Sequence, residues 1–216
     1  MLLTAGSKLI MIGDSVTDCG RAQPAGEGLF GALGNGYVSL VDGYLSAVYP
    51  ELAVRVINKG TSGNNVRSLA ERWQADVIDL KPDWLSVMIG INDVWRQYDT
   101  PRIPEGHVLL AEYRMTLENL IARTRPLVRG LLLMTPYYME PNRQDPMRAT
   151  MDQYGQAVRE IAARHDCILV DTQVLFDALF KHMHPNNIAW DRVHPNHIGA
   201  TLLSRAFLKA VGALGR

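Results

Sequence analysis

Five residues in this 216-residue chain have the types and spacing needed for acyl-transfer chemistry. Ser15 closes Ile12-Gly13-Asp14-Ser15 at the end of the first apolar run. Gly63 ends Asn58-Lys59-Gly60-Thr61-Ser62-Gly63 after the second, and Asn92 lies in Gly90-Ile91-Asn92-Asp93 after the third. Asp191 and His194 share Asp191-Arg192-Val193-His194, just before the last helical pattern. A serine hydroxyl is a poor nucleophile near neutrality and needs a base to take its proton. Imidazole does this, and a carboxylate on its other nitrogen fixes tautomer and orientation. Ester cleavage then builds negative charge on the carbonyl oxygen. The side-chain amide of Asn92 and the backbone N–H groups of Gly63 and Ser15 are suitable donors for it. Each motif alone has a plainer reading. Ser15 suits a helix cap, Gly63 and Asn92 suit ordinary turns, and Asp191–His194 suits a surface turn with an ion pair.

The elements that must position these residues alternate along the chain. Short apolar runs at Lys8–Gly13, Ala53–Asn58, Trp84–Ile89, Gly130–Thr135 and Cys167–Asp171 predict five strands buried on both faces. Helical patterns occupy Tyr37–Val48, Val66–Leu80, Glu105–Arg125, Met151–His165 and Ile198–Leu214. This order predicts an α/β fold, a three-layer, doubly wound (flavodoxin-like) sheet of five parallel strands in one domain over residues 1–216. Such sheets bind ligands beyond the carboxyl ends of their strands, where the first three motifs fall. Pro195 disfavours helix at His194, so the last helix is expected to begin at about Asn196. Two stretches with loop-like composition, Asp18–Gly36 and His182–Trp190, flank the motifs.

Composition narrows the function classes. Lys plus Arg equals Asp plus Glu, 22 each, so there is no charge-based case for nucleic acid or an anionic membrane surface. No apolar run approaches a membrane span, and the first residues lack a secretory pattern. Cys19 and Cys167 are too few for a disulfide framework and suit a reducing compartment, so the cytoplasm is the expected location. Gly26-Glu27-Gly28-Leu29-Phe30-Gly31 matches a dinucleotide glycine pattern but does not directly follow a strand, so it reads as loop. His182, His184, His194 and His197 cluster without zinc spacing, and neither a metal nor an organic cofactor is expected. Gly-x-Ser-x-Gly does not occur.

Taken together, the four blocks resemble the GDSL/SGNH hydrolase family, in the family's order and across nearly the whole chain. Val16 stands where the family usually has leucine. The resemblance implies an SGNH hydrolase fold with Ser15 as nucleophile, His194 as base and Asp191 as its partner. It also implies Ser15, Gly63 and Asn92 as oxyanion donors. The flanking stretches Gly13–Arg21, Ile89–Gln97 and Ala189–Pro195 further resemble intracellular bacterial acetylxylan esterases of this family. That resemblance implies an acetylated oligosaccharide partner, deacetylation of xylo-oligosaccharides, and a homo-oligomer. Trp95 and Trp190 adjoin two motifs, and their flat faces suit sugar rings, although partly buried packing is the plainer role. Asp14 is also a candidate for substrate contact, but beside Ser15 the stronger reading is a loop anchor that bonds backbone N–H groups. The rival substrates are lipid or thioester acyl chains, and the rival outside enzymes is a flavodoxin-like sugar- or nucleotide-binding module.

Overall fold

A computed structural model describes residues 1–214. Five strands form one all-parallel sheet. They are β1 (Lys8–Gly13), β2 (Arg55–Gly60), β3 (Trp84–Met88), β4 (Gly130–Met134) and β5 (Ile168–Val170), in spatial order β2-β1-β3-β4-β5. The helices are α1 (Ser15–Asp18), α2 (Tyr37–Val48), α3 (Val66–Trp73), α4 (Ile91–Asp99), α5 (Leu110–Thr124), α6 (Pro146–Arg164), α7 (Thr172–Leu179) and α8 (His197–Ala210). The expected α/β class and five-stranded parallel sheet are what the structure has.

Alternating side chains explain the three layers. From β1, Ile10 and Ile12 enter a core that also holds Leu69 of α3, Tyr113 and Leu117 of α5, and Val158 of α6. Leu9 and Met11 enter the opposite core with Val38 and Val41 of α2 and Leu203 and Phe207 of α8. β4 divides in the same way, Leu131 and Leu133 on one side and Leu132 and Met134 on the other. Runs without polar breaks are what burial on both faces requires.

The chain passes from β1 outward to β2 and then returns to β3 on the other side of β1. The crevice between the carboxyl ends of β1 and β3 is therefore the switch point where such sheets take ligands. Gly13 is level with both Gly60 and Met88, so the loops after β1, β2 and β3 leave from one edge. Gly13 and Gly60 let α1 sit tightly over that edge. A Cβ at Gly13 would strike the Met88 carbonyl oxygen, and one at Gly60 would strike the Asp18 backbone nitrogen.

Several expected boundaries shift. β2 begins at Arg55 rather than Ala53, whose φ of 44° is left-handed and closes the turn Pro50–Leu52. It runs on to Gly60 because Lys59 and Gly60 pair with Ile12 and Gly13. β5 keeps three residues, since Asp171 leaves the strand to cap α7. The expected helix Val66–Leu80 tightens its α-helical part to Val66–Trp73 and continues as a wide π turn over Gln74–Ile78. α5 starts at Leu110, preceded by a separate turn Pro104–Gly106. α6 begins five residues early at Pro146, with Asp145 capping the Arg148 N–H. The last helix begins at His197 with Asn196 as its cap.

Candidate active site

The sequence places Ser15 at the first position of a helix that starts one residue after a strand. Asp14 makes this abrupt change possible: its Oδ1 accepts the Val16 N–H at 3.0 Å. The helix stops after one turn, where Cys19 adopts a left-handed φ of 44°. Asn58 holds α1 from beneath. Its amide donates to the carbonyls of Thr17 (2.7 Å) and Leu33 (2.9 Å), and its Oδ1 accepts the Gly60 N–H at 2.8 Å. Asn58 is fully buried, so its polar atoms are spent entirely on shaping this corner.

His194 comes from the other end of the chain. Its Nε2 lies 2.7 Å from Ser15 Oγ, across 179 residues of sequence. Its Nδ1 lies 2.5 Å from Asp191 Oδ2. A carboxylate only accepts, so Nδ1 carries the proton and Nε2 offers its lone pair to the serine hydroxyl. Asp191 does two jobs. While Oδ2 holds the ring, Oδ1 accepts the backbone N–H groups of Val193 (3.0 Å) and His194 (2.9 Å), closing the turn that presents the ring. Burial pushes the Asp191 carboxyl up, but the bonds from the His194 ring and from the two backbone N–H groups outweigh it and hold it below the usual range. Pro195 and the cap Asn196 then release the chain into α8.

The candidate donors converge on the same edge. Gly63 adopts φ +80°, a left-handed conformation that favours glycine, in an exposed loop. Neither its N–H nor that of Ser15 has an acceptor among the described residues. Asn92 lies near the start of α4 and is buried. Its Nδ2 gives one hydrogen to the Asn64 carbonyl at 2.9 Å, and its Oδ1 accepts from Arg96 at 3.1 Å. That pairing fixes the amide's direction and leaves the second Nδ2 hydrogen free. Asp93, its neighbour, accepts the Val66 N–H at 2.9 Å and so ties the start of α3 to the start of α4. Burial pushes the Asp93 carboxyl up to about 7, and its Oδ2 has no partner among the described residues.

The remaining candidates divide. Asp14 is only 2% exposed, with Oδ1 committed to its cap, and burial pushes its carboxyl up to about 7. It lies beneath the site as a loop anchor, not on a face a sugar can reach, which corrects the expectation of substrate contact. Trp95 is half-buried, its ring centroid 6.0 Å from that of His194 and beneath the Arg96 guanidinium. It therefore forms a wall beside the base. Trp190 is 87% exposed just ahead of Asp191, and Leu29 and Phe30 of the glycine-rich loop are also exposed. That loop reaches β2 through Gly26, whose carbonyl accepts the Asn58 N–H. His184 accepts the Asn186 N–H and His197 opens α8, so these histidines serve separate local roles. A void of about 10 Å³, roughly one water's worth, lies under the site among Asp14, Val16, Ile91, Tyr137 and Val193.

Sequence reasoning missed the residues that hold the loops rather than face the crevice. Asn58 carried a signal, as an asparagine inside an otherwise apolar strand. Asp18 also belongs here: its Oδ2 accepts both the N–H and the hydroxyl of Ser62, next to Gly63. Nothing in its local sequence distinguishes it from a surface aspartate.

Comparison with known proteins agrees with this geometry. The model of the GDSL-like lipase/acylhydrolase family matches residues 11–202. The acetylxylan esterase of Geobacillus stearothermophilus is 59% identical over 212 residues, covering 98% of this chain and 97% of that protein. Its crystal structure superposes with a TM-score of 0.97 over the same shares of the two chains. Structures described as catalytic mutants of that enzyme, S15A, D191A and H194A, match at 58% identity with the same score and coverage. LAE5, an alpha/beta hydrolase from the metagenome of Lake Arreo, Spain, is 54% identical over the whole of both chains, with a TM-score of 0.98. A serine, histidine and aspartate joined at hydrogen-bond distance on a five-stranded parallel sheet, and a family match over most of the sequence, lead to one conclusion: the chain belongs to the GDSL-like lipase/acylhydrolase family.

Proposed function

We propose that this protein, a carboxylic ester hydrolase, removes acetyl groups from acetylated xylo-oligosaccharides by two-step acyl transfer. The observation that carries the reading is the relay from Ser15 Oγ through His194 to Asp191, at 2.7 and 2.5 Å. Ser15 attacks the ester carbonyl as His194 takes its proton. The oxyanion meets the N–H groups of Ser15 and Gly63 and the spare Asn92 hydrogen. His194 returns the proton to the departing sugar oxygen, leaving an acetyl-serine. Water, activated by the same ring, releases acetate and restores the hydroxyl. The relatives' acetylxylan esterase activity supports the acetyl group and the sugar.

The glycine-rich and polar loops beside the motifs favour a short acyl group on a polar alcohol over a lipid chain. Exposed Leu29, Phe30 and Trp190 support a homo-oligomer, which native mass would detect. The free thiols Cys19 and Cys167 support a cytoplasmic location. Among the described residues no helix is long and apolar enough to cross a membrane.

Ser15→Ala is expected to abolish acetate release from acetylated xylo-oligosaccharides while leaving circular dichroism unchanged. Near-parental turnover by that variant would overturn the nucleophile assignment. Faster cleavage of p-nitrophenyl octanoate than of the acetate would move the substrate to longer acyl chains.

A further inference from the structure

The donors proposed for the oxyanion sit on three separate loops, and one side chain outside all four motifs touches or reaches each of them. Arg72, on the last turn of α3, directs its guanidinium back under the sheet edge. Its Nη2 donates to the Gly13 carbonyl at 2.8 Å, two residues before Ser15. Its Nη1 donates to the Lys59 carbonyl at 2.8 Å, at the end of β2. Its Nε donates to Asn64 Oδ1 at 2.6 Å, next to Gly63. The Asn64 backbone carbonyl in turn receives Asn92 Nδ2. Asp76 completes the set, taking Arg72 Nη1 at 2.9 Å and Lys59 Nζ at 3.0 Å, which offsets the buried positive charge.

We infer that Arg72 is the positioning residue of the oxyanion site, setting the spacing of the Ser15, Gly63 and Asn92 donors through the Gly13, Lys59 and Asn64 oxygens. The inference rests on the proposed oxyanion assignment. Its physical basis is the shape of the guanidinium. Five donors in one rigid plane can span three loops at fixed angles, while a lysine ammonium is a point charge on a flexible stem. Transition-state donors act only at the right distance from the developing charge, and a shift near 1 Å costs roughly 100-fold in rate. Arg72 is mostly buried and its guanidinium is taken up by the Gly13, Lys59, Asn64 and Asp76 oxygens, so its loss should spare ground-state substrate binding.

The test is a double-mutant cycle on acetyl ester hydrolysis. Arg72→Lys is expected to lower kcat by about 10- to 100-fold with KM changed less than about threefold. In an Asn92→Ala background the same substitution should cost much less, because the donor that it helps to place is gone. A parental kcat for Arg72→Lys, a loss confined to KM, or a loss that multiplies in full onto Asn92→Ala would each overturn the inference. If Arg72→Lys does not fold, as judged by near-UV circular dichroism, Asn64→Ala decides. It removes only the Nε contact and should lower kcat several-fold at constant KM, and parental kcat would overturn the inference. Asn92→Ala alone separates the two levels: if it leaves kcat untouched, the oxyanion assignment itself fails.

Discussion

The two halves of the site are built differently. The side carrying Ser15 and Gly63 is braced from a distance. Asn58, Arg72, Asp18 and Asp93 cross between elements to hold it, and Asp14 and Asp93 are buried beneath it. The side carrying His194 is folded mainly by its own turn, with fewer ties from outside: Tyr137 Oη donates to the Val193 carbonyl at 3.2 Å and the Met139 N–H to the Arg192 carbonyl at 2.9 Å. Asp191, three residues away, both folds the turn and orients the ring, and the His194 side chain is 42% exposed. A nucleophile and its oxyanion donors must agree in position across loops. A base needs only a fixed ring within reach, which one short turn with two tethers from the Tyr137–Met139 stretch supplies.

That contrast predicts how each half fails. On the locally folded side, Asp191→Asn should reduce kcat by about 10³- to 10⁴-fold through the wrong histidine tautomer. Its melting temperature should stay close to the parent's. A large fall in both would mean that the turn supports the fold as well. On the braced side, Asn58→Ala should cost about 4 kcal/mol in urea unfolding, because the Thr17 and Leu33 carbonyls and the Gly60 N–H would lose their partners in the interior. Activity should fall with it. Stability within 1 kcal/mol of the parent would show that water replaces the amide easily.

The buried acids Asp14 and Asp93 add a pH signature of their own to the braced side. The Asp14 pKa rises from 3.8 to about 7 on folding, mainly through burial. Between those values the unfolded chain ionises while the folded one stays protonated, so this group's contribution to stability falls as pH rises from about 4 to about 7 and is level above. Asp14→Asn keeps the cap and removes the titration. Relative to the parent it should gain roughly 2–4 kcal/mol between pH 4 and pH 8. An equal difference at both pH values would show that Asp14 is ionised in the folded protein. The smallest effect belongs to the exposed face. Trp190→Ala should raise KM for acetylated xylo-oligosaccharides a few-fold, about 1 kcal/mol, with kcat for p-nitrophenyl acetate unchanged. Equal loss on both substrates would make Trp190 a support for Asp191 instead of a sugar contact.

The same asymmetry decided what could be read from the sequence. Asp191 and His194 are legible because their interaction is local: three residues and a following proline imply a turn. The sheet is legible because two-sided burial leaves unbroken apolar runs such as Leu131–Met134. Helix α4 was hidden because its first turn is the Gly90–Asp93 motif itself, which reads as a loop. Helix α7 was hidden because eight residues behind Asp171 make too short a period to stand out. Arg72 and Asp18 were invisible for another reason: their partners are brought near by the strand order, and no spacing along the chain encodes that. For Asp14, proximity to a nucleophile in sequence says nothing about which side of the backbone its carboxylate faces.

The 179-residue separation of Ser15 and His194 has a consequence in time. The serine, its strand and its helical turn are made early, but the base stands on the loop that leads into α8, and α8 packs against α2 to close one face of the sheet. Closing so long a loop costs chain entropy before its contacts reward it. A newly synthesised or half-folded chain therefore carries a serine with no base, and it cannot attack esters, including those on its own surroundings. Hydrolysis therefore requires the two ends of the chain to have met, so the catalytic rate reports that the loop leading into α8 is in place.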